Sequence, residues 1–171
     1  MSTPDQYFNY DYAFAILASG DEAQLAELEK FLDGFPNGVD DFINRRWIIN
    51  AIDCGSRKSI QWMLSRNVDL TFRDEEGYTV LHSALERDKP DKYEVIELLL
   101  EHGAPLNIHG INDWTPAHMA VVREDIEGLK QLIRFGADLS IRTRIDDYAT
   151  PLEIARIHGK TNVLRFLENL A

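Results

Sequence analysis

One cysteine and five histidines are the side chains of this chain that could most readily act as a nucleophile, a base or a metal ligand. Cys54 paired with a distant histidine would make a nucleophilic site, but the surrounding sequence supplies no activating context for the thiol. A small buried or half-buried thiol is therefore the better interpretation. His109 and His158 fall at predicted turns without a matching ligand cluster, and His102 falls at a predicted helix end, where a cation complements the helix dipole.

Pairs of neighbouring carboxylates offer a second chemistry, because two acids can divide the roles of general acid and general base. Asp40 with Asp41 and Asp146 with Asp147 form such pairs, and both lie in predicted loops, where turn or capping roles fit them better. The sequence also lacks the common signatures of phosphate loops, dinucleotide folds, serine hydrolases and zinc proteases. We therefore expect a protein without catalytic activity, cofactor or metal.

The cysteine count and the N-terminal segment bear on the compartment. A single cysteine excludes an intramolecular disulfide and a zinc site built from several thiolates, which indicates a reducing compartment. The segment M-S-T-P-D-Q-Y-F-N-Y has no basic region followed by an apolar run, and no later stretch approaches the length of a membrane span. These features predict a cytoplasmic protein that does not enter a membrane.

The net charge is −11, and it is unevenly distributed. Residues 1–44 hold nine acids and one base, so they account for −8 of that charge. An acidic protein repels phosphate backbones, so we expect no nucleic-acid partner. A basic protein partner is favoured, because complementary charge accelerates encounter. Solubility alone is the alternative explanation of the charge.

The elements that must position these residues are clearest in the segment 110–142. Thr115 can cap a helix that begins at Pro116, where the missing N–H group costs nothing. Asp125 can cap a second helix, and Gly136 can end it in the left-handed conformation. A helix pair of this kind has an apolar face too wide to bury alone, so it must stack on copies of itself.

Similar segments occur along the chain at a regular spacing. Thr79 precedes Thr115 by 36 residues, and Thr150 follows Thr115 by 35 residues. Asn67 stands where the terminal glycine belongs in an earlier copy, and Glu153 stands in the histidine position of a later one. The copy that begins at residue 73 carries an insertion at residues 87–92, R-D-K-P-D-K, which predicts a solvent-exposed turn.

The motifs T-P-A-H-M-A and T-P-L-E-I-A, with Gly-Ala turns at a period near 33 residues, resemble the ankyrin repeat. The resemblance implies an all-α repeat solenoid of about five repeats, each a helix-turn-helix with a β-turn finger, the first and last acting as caps. It also implies that His82 and His118 hydrogen-bond within and between repeats. We expect a single domain, with N-terminal capping helices in 1–40, repeats in 41–72, 73–109 and 110–142, and a C-terminal capping repeat in 143–171.

In this family, partners generally bind the groove formed by the fingertips and the exposed side of the first helices. Trp114 is a candidate anchor, because Trp, Tyr and Arg dominate interface energetics, although packing against the neighbouring finger is an equal alternative. Tyr78 stands at the equivalent place one repeat earlier. The resemblance thus marks a set of partner-binding candidates on fingertips and first helices: Glu75, Glu76, Tyr78, Glu86, Arg87, Ile111, Asn112, Trp114, Val122, Arg123, Asp146, Asp147 and Tyr148.

These observations favour a non-catalytic module that binds one partner protein with a basic surface and is a monomer when free. An inhibitor or immunity-type protein fits its size and charge. An adaptor or scaffold protein is the alternative within the same class. An enzyme that uses Cys54 and a self-associating structural repeat are the alternatives from other classes.

Overall fold

The computed structural model describes residues 10–40, 44–145 and 147–170, and across these ranges the regular elements are helices. A single isolated β-bridge, between Val39 and Arg46, is the β pairing found there. The helices follow one another in pairs: α1 Tyr10–Ser19 and α2 Glu22–Phe31, α3 Trp47–Cys54 and α4 Arg57–Leu64, α5 Val80–Glu86 and α6 Lys92–Glu101, α7 Pro116–Val122 and α8 Ile126–Arg134, α9 Pro151–Ile157 and α10 Thr161–Glu168.

The helix boundaries follow from capping chemistry. Asp125 begins α8 by accepting a hydrogen bond from the Gly128 N–H group at 2.9 Å, as predicted. Thr115 precedes α7, whose first residue is Pro116. Gly136 follows α8 with φ of 94°, so the predicted left-handed helix end is present.

Packing divides the chain into two compact units, residues 1–68 and 69–171, which we call the N-terminal and C-terminal units. In the N-terminal unit α1 packs against α2, α3 and α4, and buried aliphatic side chains fill the space between them. The Phe35 ring packs against Trp47 at 5.4 Å and Trp62 at 5.9 Å between ring centroids. Buried Asp40 accepts a hydrogen bond from Asn50 Nδ2 at 2.9 Å, so this carboxylate ties the loop before α3 to the helix.

In the C-terminal unit the helices form two rows. The first helices of the pairs, α5, α7 and α9, pack side by side, and α6 packs against α8 behind them. Each helix also packs against the other member of its pair. The core between the rows consists of fully buried aliphatic residues, among them Leu81, Leu85, Ile96, Leu129 and Leu132.

Three turns, which we call fingers, connect to the first helices of this unit. The first is closed by a hydrogen bond from the Asp74 N–H group to the Tyr78 carbonyl, and the second by one from Gly110 to Trp114. The third is closed between Thr143 and Ala149, two residues farther apart than in the other fingers. The first two fingers therefore share one geometry, and the third has a longer tip.

The insertion between α5 and α6 is only partly solvent-exposed. Asp88 and Pro90 are exposed as predicted, but Arg87 is 3% exposed. Its Nε and Nη2 groups each donate a hydrogen bond of 2.9 Å to the carboxylate of Asp91. Burying a guanidinium requires such a partner, so Arg87 holds the insertion together instead of facing a groove.

Candidate partner-binding surface

His82 and His118 hold each first helix to the finger that follows it. His82 Nε2 lies 3.0 Å from the Trp114 carbonyl oxygen, and its Nδ1 lies 2.7 Å from the Thr79 hydroxyl. Because a carbonyl can only accept, Nε2 carries the proton and Nδ1 accepts from the hydroxyl. His118 repeats this pattern, with Nε2 3.0 Å from the carbonyl oxygen of Ala149.

Burial keeps both imidazoles neutral. It lowers the pKa of His82 to about 4, and it also lowers the pKa of His118. Both nitrogens of each ring are engaged in hydrogen bonds, so neither ring offers a nitrogen to a metal or to a substrate. The two histidines serve the scaffold of the surface.

Three of the predicted binding residues come together beside the first finger. The Arg123 Nη1 group lies 2.9 Å from Glu86 Oε1, which links the ends of α7 and α5. Burial, and then the hydrogen bond that the Tyr78 hydroxyl donates to Glu86, raise the pKa of Tyr78 to about 12. The tyrosine is therefore neutral near pH 7, and the Glu86 carboxylate beside it pairs with Arg123.

The tip of the first finger adds acidic charge to this cluster. Glu75 and Glu76 are both exposed in the turn that the Asp74 carboxylate stabilises by accepting from the backbone N–H groups of Glu76 and Tyr78. The negative charge of Glu76 also contributes to the raised pKa of Tyr78, so the two side chains are electrostatically close. The structure thus brings these predicted residues together on one acidic edge.

The second finger presents Ile111 and Trp114 half-buried and Asn112 exposed. The Trp114 carbonyl accepts a hydrogen bond from His82, and its side-chain roles as anchor or as packing for the neighbouring finger stay predictions. Asn112, with φ of 54°, adopts the left-handed conformation, which asparagine tolerates better than most residues.

The last residue of each first helix occupies an equivalent position. Glu86 and Val122 are predicted binding residues at this position, and Ile157 is not. Val122 ends α7 and is half-buried, and it occupies the place that Glu86 takes in α5. Ile157 ends α9 at the same place and is 55% exposed. The repeat alignment contains the signal for Ile157, because the residue stands seven positions after Thr150 just as Val122 stands seven after Thr115.

The third finger differs from the prediction in its register. Tyr148 is 63% exposed, but its φ of 48° puts it in the left-handed position that Gly77 takes in the first finger. Ala149, which is buried, takes the place of Trp114, since its carbonyl accepts the equivalent histidine hydrogen bond. Asp147 is exposed and lies 3.6 Å from the ring of His158, whereas Asp146 lies outside the described residues.

Cys54 and Asp40, two of the side chains considered for catalysis, form hydrogen bonds within the fold. Cys54 is half-buried at the end of α3, and its thiol donates to the Asn50 carbonyl at 2.9 Å. The helix C-terminus has partial negative charge, which disfavours a thiolate. Asp40 is buried in the contacts given above, and its neighbour Asp41 lies outside the described residues.

Two further features are absent from the described ranges. No cluster of three or more histidine, cysteine or carboxylate side chains suited to a metal ion occurs in them. No helix in them combines the length and the apolar character needed to cross a lipid bilayer.

Comparison with known proteins gives a consistent family assignment. A family model described as ankyrin repeats (3 copies) matches residues 48–143, which is more than half of the chain. BCL-6 corepressor-like protein 1 of Homo sapiens is 39% identical over 75 residues, which cover 44% of this chain and 4% of that protein. Putative ankyrin repeat protein FPV031 of Fowlpox virus is 39% identical over 94 residues, covering 53% of this chain and 27% of that protein.

A plant relative matches over a longer stretch. Putative E3 ubiquitin-protein ligase XBAT35 of Arabidopsis thaliana is 32% identical over 123 residues, which cover 71% of this chain and 26% of that protein. The chain therefore spans no more than 27% of the length of any of these three relatives. The ligase name belongs to the whole relative, and the similarity runs through its repeats, which are in general interaction domains without enzymatic activity.

The predicted all-α repeat solenoid is thereby confirmed, while the count of repeats and the capping roles stay predictions. The family match and the helix pairs lead to one assignment: the chain belongs to the ankyrin-repeat family, whose repeats form protein–protein interaction modules.

Proposed function

We propose that the protein binds one partner protein with a basic surface through Glu75, Glu76, Tyr78, Glu86 and Trp114, which we call the acidic–aromatic surface. The observation that carries the proposal is the proximity of Tyr78 to Glu86, together with the ion pair between Glu86 and Arg123. This arrangement places an aromatic side chain beside Glu76 and Glu86 on the C-terminal unit.

The packed position of Tyr78, half-buried and close to Glu86, supports a role in binding. A side chain that is already ordered loses less conformational entropy when a partner docks, so more of the contact energy appears as affinity. Tyrosine and tryptophan are also the residue types on which binding energy most often concentrates. Glu75 and Glu76 at the exposed fingertip would meet lysine or arginine side chains of the partner and accelerate encounter.

Inhibition by steric occlusion is the mechanism that we propose for this binding, as in an inhibitor or immunity-type protein. The net charge of −11 supports it, because an acidic chain suits a basic enzyme as its target. An adaptor that tethers the partner is the second candidate, and it would leave the activity of the partner unchanged. A monomeric state and a cytoplasmic location belong to the same proposal.

A charge-reversal experiment tests the binding surface. The tagged chain recovers partners from cells of its source, and mass spectrometry compares the wild type with the Glu75→Lys/Glu76→Lys variant. We expect the variant to recover at least about tenfold less of the basic partner. Charges at the rim of an interface govern encounter, and buried charges govern dissociation. The partner's activity, measured with and without the chain, separates inhibitor from adaptor.

The control variant is Glu94→Lys/Glu101→Lys, which makes the same change in net charge at exposed positions of α6. It should keep the partner. Equal loss in both variants would assign the effect to net charge, and retention of the partner by both would remove the acidic–aromatic surface from the interface.

A further inference from the structure

A positively charged cleft interrupts the acidic C-terminal unit. Its volume is about 360 Å³, and its lining consists of Thr71, Arg73, Asn107, Ile108, His109 and Arg144. Thr71, Arg73 and residues 107–109 precede the first two fingers, and Arg144 lies within the third. Together they supply two guanidinium groups and one imidazole, but no carboxylate. In a chain of net charge −11, this cluster is unlike the surface proposed above for a basic partner.

Arg144 is held at one edge of its guanidinium group. Its Nε donates to Asp113 Oδ1 at 2.8 Å, and its Nη2 and backbone N–H also bond to that carboxylate. The Asp113 side chain is buried, whereas 65% of the Arg144 side chain is exposed. A guanidinium has five N–H donors, so the bonds to Asp113 position the group and leave its outer donors for a ligand.

Arg73 and Asn107 contribute donors from other directions. The Arg73 Nη1 group donates to the His109 carbonyl at 3.0 Å, and within the described residues Arg73 forms no ion pair with a carboxylate. The side-chain oxygen of Asn107 accepts from the Asp138 N–H group at 3.0 Å, which leaves the amide nitrogen as a donor. His109 Nε2 donates to the Arg142 carbonyl at 2.9 Å, and this bond fixes the ring in the cleft.

We propose that this cleft binds a phosphate group. A phosphate monoester has three terminal oxygens in a tetrahedral arrangement and carries close to two negative charges near neutral pH. Donors from Arg73, Arg144 and Asn107 match three oxygens, whereas a carboxylate has only two coplanar oxygens. The ligand is then a free phosphate or a phosphorylated side chain of a protein, and the two share the chemistry that the cleft recognises.

Titration of the full chain with inorganic phosphate and with N-acetyl-O-phosphoserine amide tests the proposal. The measurement is the change in backbone amide chemical shifts at pH 7.5 and constant ionic strength, with acetate as the comparison anion. We expect saturable shifts at Arg73, His109 and Arg144 with both phosphates and none of comparable size with acetate. Tighter binding of phosphoserine would assign a phosphorylated protein, and equal or weaker binding a free phosphate.

Arg73→Gln should weaken phosphate binding roughly tenfold, because it removes one charge-assisted contact. The matched control is Arg134→Gln, which removes the same charge from an exposed position on α8. An unchanged thermal midpoint of Arg73→Gln shows that the fold is intact. Equal shifts with acetate, no effect of Arg73→Gln, or an equal effect of Arg134→Gln would each overturn the proposal, whatever the fate of the acidic–aromatic surface.

Discussion

At the scale of single residues, backbone conformation explains several departures from the repeat pattern. Gly103 and Gly136 take the left-handed conformation after α6 and α8, and Asn67 takes it after α4 with φ of 55°. Asparagine is the non-glycine residue that tolerates this conformation best, so the predicted substitution is physically consistent. Glu124, with φ of 54°, adopts the same conformation between α7 and α8, where the next repeat has Gly159.

Replacing Glu124 with glycine should stabilise the protein by about 1 kcal/mol, because a non-glycine residue pays a conformational cost in the left-handed region. The Lys160 contact of Glu124, at 3.5 Å, is a surface pair that contributes little. Chemical unfolding monitored by circular dichroism measures the change. Glu97→Gly, in the middle of α6, is the control and should destabilise by at least about 1 kcal/mol; stabilisation by both or by neither would refute the conformational argument.

The half-buried state of Trp114 gives a second prediction at this scale. Trp114→Ala should weaken partner binding by at least about tenfold, as expected for an aromatic anchor. It should also lower the free energy of unfolding by about 1–2 kcal/mol, because part of the side chain leaves an apolar environment. Calorimetric titration with the recovered partner and chemical unfolding give the two quantities.

Ile133→Ala provides the matched control for Trp114, because Ile133 is also half-buried but lies on α8. A similar loss of stability with normal binding is expected there. Unimpaired binding by Trp114→Ala would assign this tryptophan to packing of the fingers alone.

At the scale of elements, the histidines decide how a helix and the following finger stay together. Gly110 in the second finger lies so close to His82 that a side chain there would place its first carbon 2.4 Å from the ring carbon Cε1. This close approach requires glycine and lets His82 reach the Trp114 carbonyl. Glu153 in the histidine position of α9 acts differently, since its carboxylate accepts from the Thr150 N–H group and pairs with Arg142.

The lowered pKa of His82 predicts acid sensitivity. The ordinary pKa near 6.5 applies to the unfolded chain and about 4 to the folded one, so between these values the unfolded chain binds a proton that the folded chain does not. The contribution is fully present above pH 6.5 and is lost as pH falls, by about 2 kcal/mol between pH 7 and 5. Denaturant unfolding at both pH values measures it.

His82→Gln is the comparison for this effect. The variant is less stable at pH 7 because its side chain cannot reproduce both ring contacts, but it should lose less stability than the wild type between pH 7 and 5. The same pH dependence in both proteins would show that His82 already titrates normally in the folded state.

At the scale of the whole molecule, net charge is the property that most affects encounter with other molecules. The net charge of −11 produces a field that extends over about a Debye length, roughly 8–10 Å at physiological salt. A field of this sign favours encounter with a basic protein and disfavours encounter with nucleic acid. Residues 1–44 hold −8 of this charge, while the acidic–aromatic surface lies on the C-terminal unit.

The association rate with the partner should fall roughly tenfold between about 20 mM and 200 mM salt, while the dissociation rate changes much less. Stopped-flow or surface-based kinetics with the recovered partner measure both rates. An association rate independent of salt would indicate that the acidic charge serves solubility alone.

Repeat period and capping residues were sufficient to predict the fold. Thr-Pro pairs, Asp125 and Gly136 mark helix starts and ends through local chemistry that acts within a few residues, so the sequence displays them directly. The burial of Arg87 could not be predicted in this way, because it depends on how the insertion folds back on α5 and α6. Nor could the register of Tyr148, since an extra length of loop does not show which residue takes the left-handed position.

The sequence by itself determined the family, the helix pairs and the acidic character of this protein, because each depends on local pattern or on composition. The tertiary structure alone decided which of the candidate residues act together. Tyr78, Glu86 and Arg123 are separated along the chain and meet only because α5 and α7 pack side by side. The cleft between Arg73, His109 and Arg144 arises in the same way, from three successive fingers whose spacing the packed helices set.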